Sequence, residues 1–173
     1  MGSSQFFSTS SSSFPMKTRT LSITSGKGGV GKSTLVANTA FQLGREGKRV
    51  LILDGDLGMA NIDIMFGVRA QKTVFDVLQG RANIFEVIVN VAPNVDLIPG
   101  GSGIFELQNL SVFEKQLLLD QVSLLGCSYE YLIVDTAPGI DDKVLYLNSA
   151  AQETWIVVTP DPASITDSYA LIK

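Results

Sequence analysis

No stretch of this chain restricts its fold more than GKGGVGKST at residues 26–34. It follows a run of strand character, TLSITS at 20–25, and precedes one of helical character, TLVANTAFQLGREG at 34–47, which ends on Gly47. Gly26, Gly31, Lys32 and Ser33 satisfy the pattern G-x-x-x-x-G-K-[ST], and the strand before and helix after it are the context that gives the pattern meaning. Glycines let such a turn point its backbone N–H groups inward, and the helix that follows adds the positive end of its dipole, so the loop wraps phosphate oxygens. Gly26, Lys27, Gly28, Gly29, Val30 and Gly31 then supply the cradle. Lys32 reaches the β- and γ-phosphates, the Ser33 hydroxyl is a ligand for Mg²⁺, and Thr34 is placed for the α-phosphate.

Beyond the loop, short apolar runs alternate with helical stretches, the pattern of βα units on a parallel sheet. RVLILD (49–54) and YLIVD (131–135) are near-continuous apolar runs, as strands covered on both faces require, and each ends in a carboxylate. NVDLIP (94–99) and TWIVVTP (154–160) read as two further strands, which makes a five-stranded parallel core. Residues 111–126 read as a helix with a capping box at Ser111 and Glu114 and a terminal Gly126. A last helix opens near Ser164, the candidate N-cap, with Asp167 in its first turn, and meets no stop signal before Lys173. The expected fold class is α/β, a P-loop NTPase with a mostly parallel sheet and helices on both faces, continuing past Lys173 in the natural domain. Residues 1–16 read as a disordered serine-rich tail and 17–173 as the domain. MGSSQF falls short of a myristoylation signal because Phe6 stands where Ser or Thr is wanted.

Composition narrows the chemistry. The 173 residues contain no histidine, which removes imidazole metal sites and histidine-based triads, so metal chemistry must use oxygen ligands. A single cysteine, Cys127, allows no internal disulfide and reads as a small filler residue. With 17 acidic against 13 basic residues the net charge is −4, which offers no electrostatic case for nucleic-acid binding. No apolar run approaches the roughly 20 residues of a membrane span.

The acidic residues worth most attention lie at strand ends, where ligands of open α/β sheets bind. Asp135 fits a Walker B-like aspartate that holds Mg²⁺ directly or through water. Asp54 ends its own strand and Asp56 follows in a glycine-containing loop. Asp63, Asp141 and Asp142 read as solvated loop charges. FDVL (75–78) and the pair Met59 and Met65 suit packing better than a partner surface. Lys27 stands apart. One lysine fills the phosphate site, so the second points either to solvent or to another molecule.

KGGVGKST is similar to the deviant Walker A motif of the MinD/ParA family of dimerising ATPases. The resemblance covers residues 17–173 and implies a MinD-like (SIMIBI) fold, ATP and Mg²⁺ as cofactors, and a homodimer in the ATP-bound state. It implies that Lys27 crosses the dimer to the partner's phosphates. It gives Asp56 the orientation of the attacking water, Asp54 support of Mg²⁺ and of loop geometry, and Ser33 and Asp135 the metal. Asn61 and Gly139 match switch I and switch II positions, and Gly139 would bring a backbone N–H toward the γ-phosphate. DGDLGMANIDIMFG, TVFDVLQG, LIPGGSG, DTAPGI and TPDPASITDSYALIK resemble most the FlhG branch, ATPases that control flagellar number and placement. That branch implies the GTPase FlhF and flagellar switch proteins as partners, a cytoplasmic protein that can sit at the inner membrane or cell pole, and membrane contact only through an amphipathic helix outside this chain. Its N-terminal activator motif is not recognisable in residues 1–16. The other readings are a cell-division or partition ATPase, a non-hydrolysing nucleotide-binding scaffold, and a ligase on the same fold.

Overall fold

A computed structural model describes residues 18–57, 60–101, 110–126 and 128–173. The tail at 1–16, Met59 and Cys127 lie outside these residues. Six strands form one sheet in the order β3-β4-β2-β5-β1-β6: β1 (Arg19–Thr24), β2 (Val50–Gly55), β3 (Val89–Ala92), β4 (Val95–Ile98), β5 (Tyr131–Thr136) and β6 (Glu153–Ile156). All pairings are parallel except that of β3 with β4. Helices α1 (Lys32–Arg45), α2 (Ile62–Met65), α3 (Val74–Leu78), α4 (Val112–Ser123), α5 (Asp142–Ala150) and α6 (Pro162–Ile172) connect them.

The mostly parallel sheet expected from the apolar runs is present, with one strand more than the sequence suggested. Val-Asn-Val-Ala at β3 is only four residues long, and it turns back on β4 through Pro93 and Asn94, whose φ of 62 is the left-handed turn conformation. β6 stops at Ile156, short of the expected 160.

Strand alternation builds two cores. Val50 and Ile52 join Ile23, Ile133 and Leu97 under Val36 and Ala40 of α1, while Leu51 and Leu53 join Val134 and Ile98 under Leu118 and Val122 of α4 and Leu147 of α5. Both faces of β2 are therefore buried. Val74 and Val77 of α3 enter the second core, so the FDVL segment packs, whereas Met65 is exposed. The Ser111–Glu114 capping box is formed as expected. At α6 the N-cap is Asp161, not Ser164: Pro162 occupies the first turn, and Ser164 is buried with its Oγ accepting the Thr159 N–H at 3.1 Å. Asp141 and Asp142 are exposed as expected, but Asp63 and Asp142 lie in the first turns of α2 and α5 rather than in loops and Asp141 is the N-cap of α5, positions where the helix dipole favours a carboxylate.

Candidate functional site

β1 ends at Thr24 and α1 begins at Lys32, so the loop sits at the carboxyl edge of the sheet, beside the neighbouring end of β5. Gly29 and Gly31 take φ of 76 and 92, a conformation that side chains strain to adopt, and Gly31 is the N-cap of α1 with no capping side chain. The first-turn N–H groups of the helix are left for a ligand, which is what an anion site requires. A cavity of about 280 Å³ opens there, lined by Ser25, Gly29, Gly31, Lys32, Ser33 and Thr34. Gly28 lies open beside Pro138, and Val30 is half-buried.

Lys32 is buried, with Nζ 3.3 Å from Asp135 Oδ1. Asp135 and Asp54 are cross-strand partners of β5 and β2, so their carboxylates lie side by side on the α1 face of the sheet. Burial pushes Asp54 up to about 7, helped by the charge of Asp135 and opposed by N–H donors. Those donors are the backbone N–H of Asp56 at 3.3 Å and of Asn61 and Ile62 at 3.2 Å each. Asp54 thus accepts from N–H groups just after β2 and at the start of α2. Burial also raises Asp135, against the pull of Lys32 and the Ser33 hydroxyl. Asp56 follows Asp54 by two residues, and its charge raises both carboxylates slightly. Asp54, Asp56, Asp135, Lys32 and Ser33 are therefore gathered at one edge from three segments of the chain.

Two groups at the loop have partners within the chain. Lys27 Nζ donates to Asp161 Oδ2 at 2.6 Å. Asp161 holds the lysine's pKa up and Asp167 adds to it. Gly139, at φ 100, donates its N–H to the Ser25 carbonyl at 2.9 Å, so this donor is engaged by the phosphate loop's own entrance. Asp161 is the residue that sequence reasoning missed at this site. Pro162 directly after it was the available signal for a helix cap, though nothing local foretold Lys27 as its second partner.

A glycine-rich loop between a strand and a helix, a buried lysine in it and paired carboxylates on the adjoining strands define a P-loop nucleotide-binding domain. A family model described as an AAA domain matches residues 18–172. The antiactivator FleN of Pseudomonas aeruginosa is 40% identical over 153 residues, 88% of this chain and 55% of that protein. The flagellum site-determining protein YlxH of Helicobacter pylori is 42% identical over 157 residues, 90% of this chain and 53% of that protein. Among solved structures, the septum site-determining protein MinD complexed with Mg-ADP from Pyrococcus horikoshii superposes with a TM-score of 0.77 at 32% identity, covering 89% of this chain and 63% of that one. The chain belongs to the MinD/ParA family of P-loop ATPases. It spans about half the length of the curated relatives it matches.

Proposed function

We propose that this chain is the nucleotide-binding part of an ATP-driven dimerisation switch of the flagellar-number type. The observation that carries the reading is the division of labour between two lysines of one loop: Lys32 is buried against Asp135, whereas Lys27 stands nearly half exposed at the entrance. Lys32, the loop N–H groups and Thr34 bind the phosphates. Ser33, Asp135 and Asp54 suit Mg²⁺, because two adjacent buried carboxylates, of which only Asp135 is paired with the buried Lys32, offer oxygen ligands and negative charge to a hard cation. Bound Mg²⁺ would neutralise charge on the transferring phosphate. Asp56 orients the attacking water. Lys27 reaches the phosphates of a second copy, as an arginine finger does in trans, an effect worth about 10³–10⁵ in rate in other systems.

Flagellar number and placement is the process favoured by the relatives, since FleN and YlxH are 40% and 42% identical while a MinD of Emiliania huxleyi is 34% identical. FlhF and flagellar switch proteins are the partners this reading implies. No helix among the described residues is long and apolar enough to cross a membrane.

Light scattering in ADP and in ATP, with phosphate release measured in parallel, tests the switch. The expected result is a dimer in ATP alone for wild type, a persistent ATP dimer with lost turnover for Asp56→Ala, and no dimer once Lys27→Ala is added. Bound ATP with no turnover in wild type would favour the non-hydrolysing scaffold instead.

A further inference from the structure

Asp161 is the charged side chain bonded to the loop that the mechanism above leaves unused, Asp167 acting on Lys27 only through its charge. It lies 134 residues from Lys27 in sequence, and its Oδ2 does two things at once. It caps α6 by accepting the Ser164 N–H at 3.2 Å, and it accepts from Lys27 Nζ at 2.6 Å. The side chains of Lys27 and Asp161 are 46% and 43% exposed, so no packing locks the pair and the lysine can leave it. The carboxylate cannot follow. Its helix is seated on the loop by other means: a Cβ on Gly26 would overlap the backbone of Asp167 and Ser168, and Ser164 and Ser168 are buried. A fixed acceptor therefore waits at the loop's entrance for a mobile cation. One ammonium cannot neutralise a carboxylate at home and a phosphate in a neighbouring subunit, so the two are alternatives.

We propose that Asp161 is a positioning residue that holds Lys27 on its own subunit in the monomer and so sets the threshold for nucleotide-dependent dimerisation by a second copy of this chain. This rests on the crossing role given to Lys27 above. The competition also discriminates between nucleotides, because a triphosphate offers the lysine more negative charge than a diphosphate does, and only the stronger acceptor draws it off Asp161. Two such pairs must open for each dimer, so the effect of one enters the dimer dissociation constant squared.

The test variant is Asp161→Asn, which keeps the shape and the capping oxygen, asparagine being as good an N-cap, and removes only the charge. Dimer dissociation constants are measured by sedimentation in a non-hydrolysable ATP analogue, and association and dissociation rates by stopped-flow mixing and dilution. A half-exposed ion pair weighs a factor of about three, so Asp161→Asn is expected to dimerise about tenfold more tightly. The gain should lie in the association rate, with dissociation unaltered, because the pair exists only in the monomer. A purely structural role for Asp161 would not produce that split. Unchanged or weaker dimerisation of Asp161→Asn, with the wild-type dimer lost in Lys27→Ala, leaves the crossing lysine standing and overturns the restraint. A dimer that survives Lys27→Ala, or no dimer in wild type and Asp161→Asn alike, overturns both. A dimer restored by Asp161→Asn in the absence of Lys27 also overturns the restraint, since the carboxylate would then act by another route.

Discussion

Lys27 and Lys32 sit in the same loop, and each has an aspartate, yet their surroundings differ. Lys32 and Asp135 are 9% and 2% exposed at 3.3 Å; Lys27 and Asp161 are 46% and 43% exposed at 2.6 Å. The shorter pair is the weaker one. Water on both partners of Lys27 screens their attraction, and this outweighs a difference of less than an ångström in separation. Burial commits Lys32 to its place, whereas exposure leaves Lys27 exchangeable between acceptors. One loop thereby carries a fixed cation and a movable one.

That contrast can be broken by substitution. Lys32→Ala should have the largest effect: it takes the cation from a buried carboxylate and is expected to lower unfolding stability by about 3 kcal/mol and to abolish nucleotide binding. Denaturant unfolding and titration with a fluorescent nucleotide check this, and wild-type behaviour in either would remove the distinction between the lysines. Next comes Gly26→Ala, where the added methyl meets the α6 backbone. A cost of about 2 kcal/mol by the same unfolding measurement is expected from such overpacking, and a neutral result would mean that α6 is not seated on the loop. Asp161→Ala, which loses both the helix cap and the lysine's partner, should lower the melting midpoint by about 3 °C, against about 1 °C for Asp161→Asn. Equal shifts would assign the stability to the ion pair rather than the cap. Smallest of all is Lys27→Ala, expected to stay within about 1 °C of wild type. A larger drop in calorimetry would show the exposed pair to be structural.

Much of the first half of this comparison is legible in the sequence. Gly26, Gly31, Lys32 and Ser33 follow a strand and open a helix, and Asp54 and Asp135 end apolar runs, so local pattern alone puts them at one edge of a sheet. The Ser111–Glu114 capping box is equally local, since both of its hydrogen bonds close within four residues. What escaped was either too short or too distant. β3 has four residues, too few for alternation to stand out, and its pairing depends on the turn at Asn94. Asp161 and Ser164 are both good caps three residues apart, and the buried hydroxyl bond of Ser164 to the Thr159 N–H decides between them. The partner of Lys27 follows from α6 lying against the loop, a consequence of tertiary packing that no window of sequence contains.

The bond from the Gly139 N–H to the Ser25 carbonyl makes that amide a built-in reporter of the loop. Its proton is held between two segments that belong to different strands, so deuterium can replace it only when those segments part. The exchange rate at this single position therefore counts separations of the two loops directly. Measured with and without nucleotide, it times the opening of the site from the protein's own backbone, with no label added.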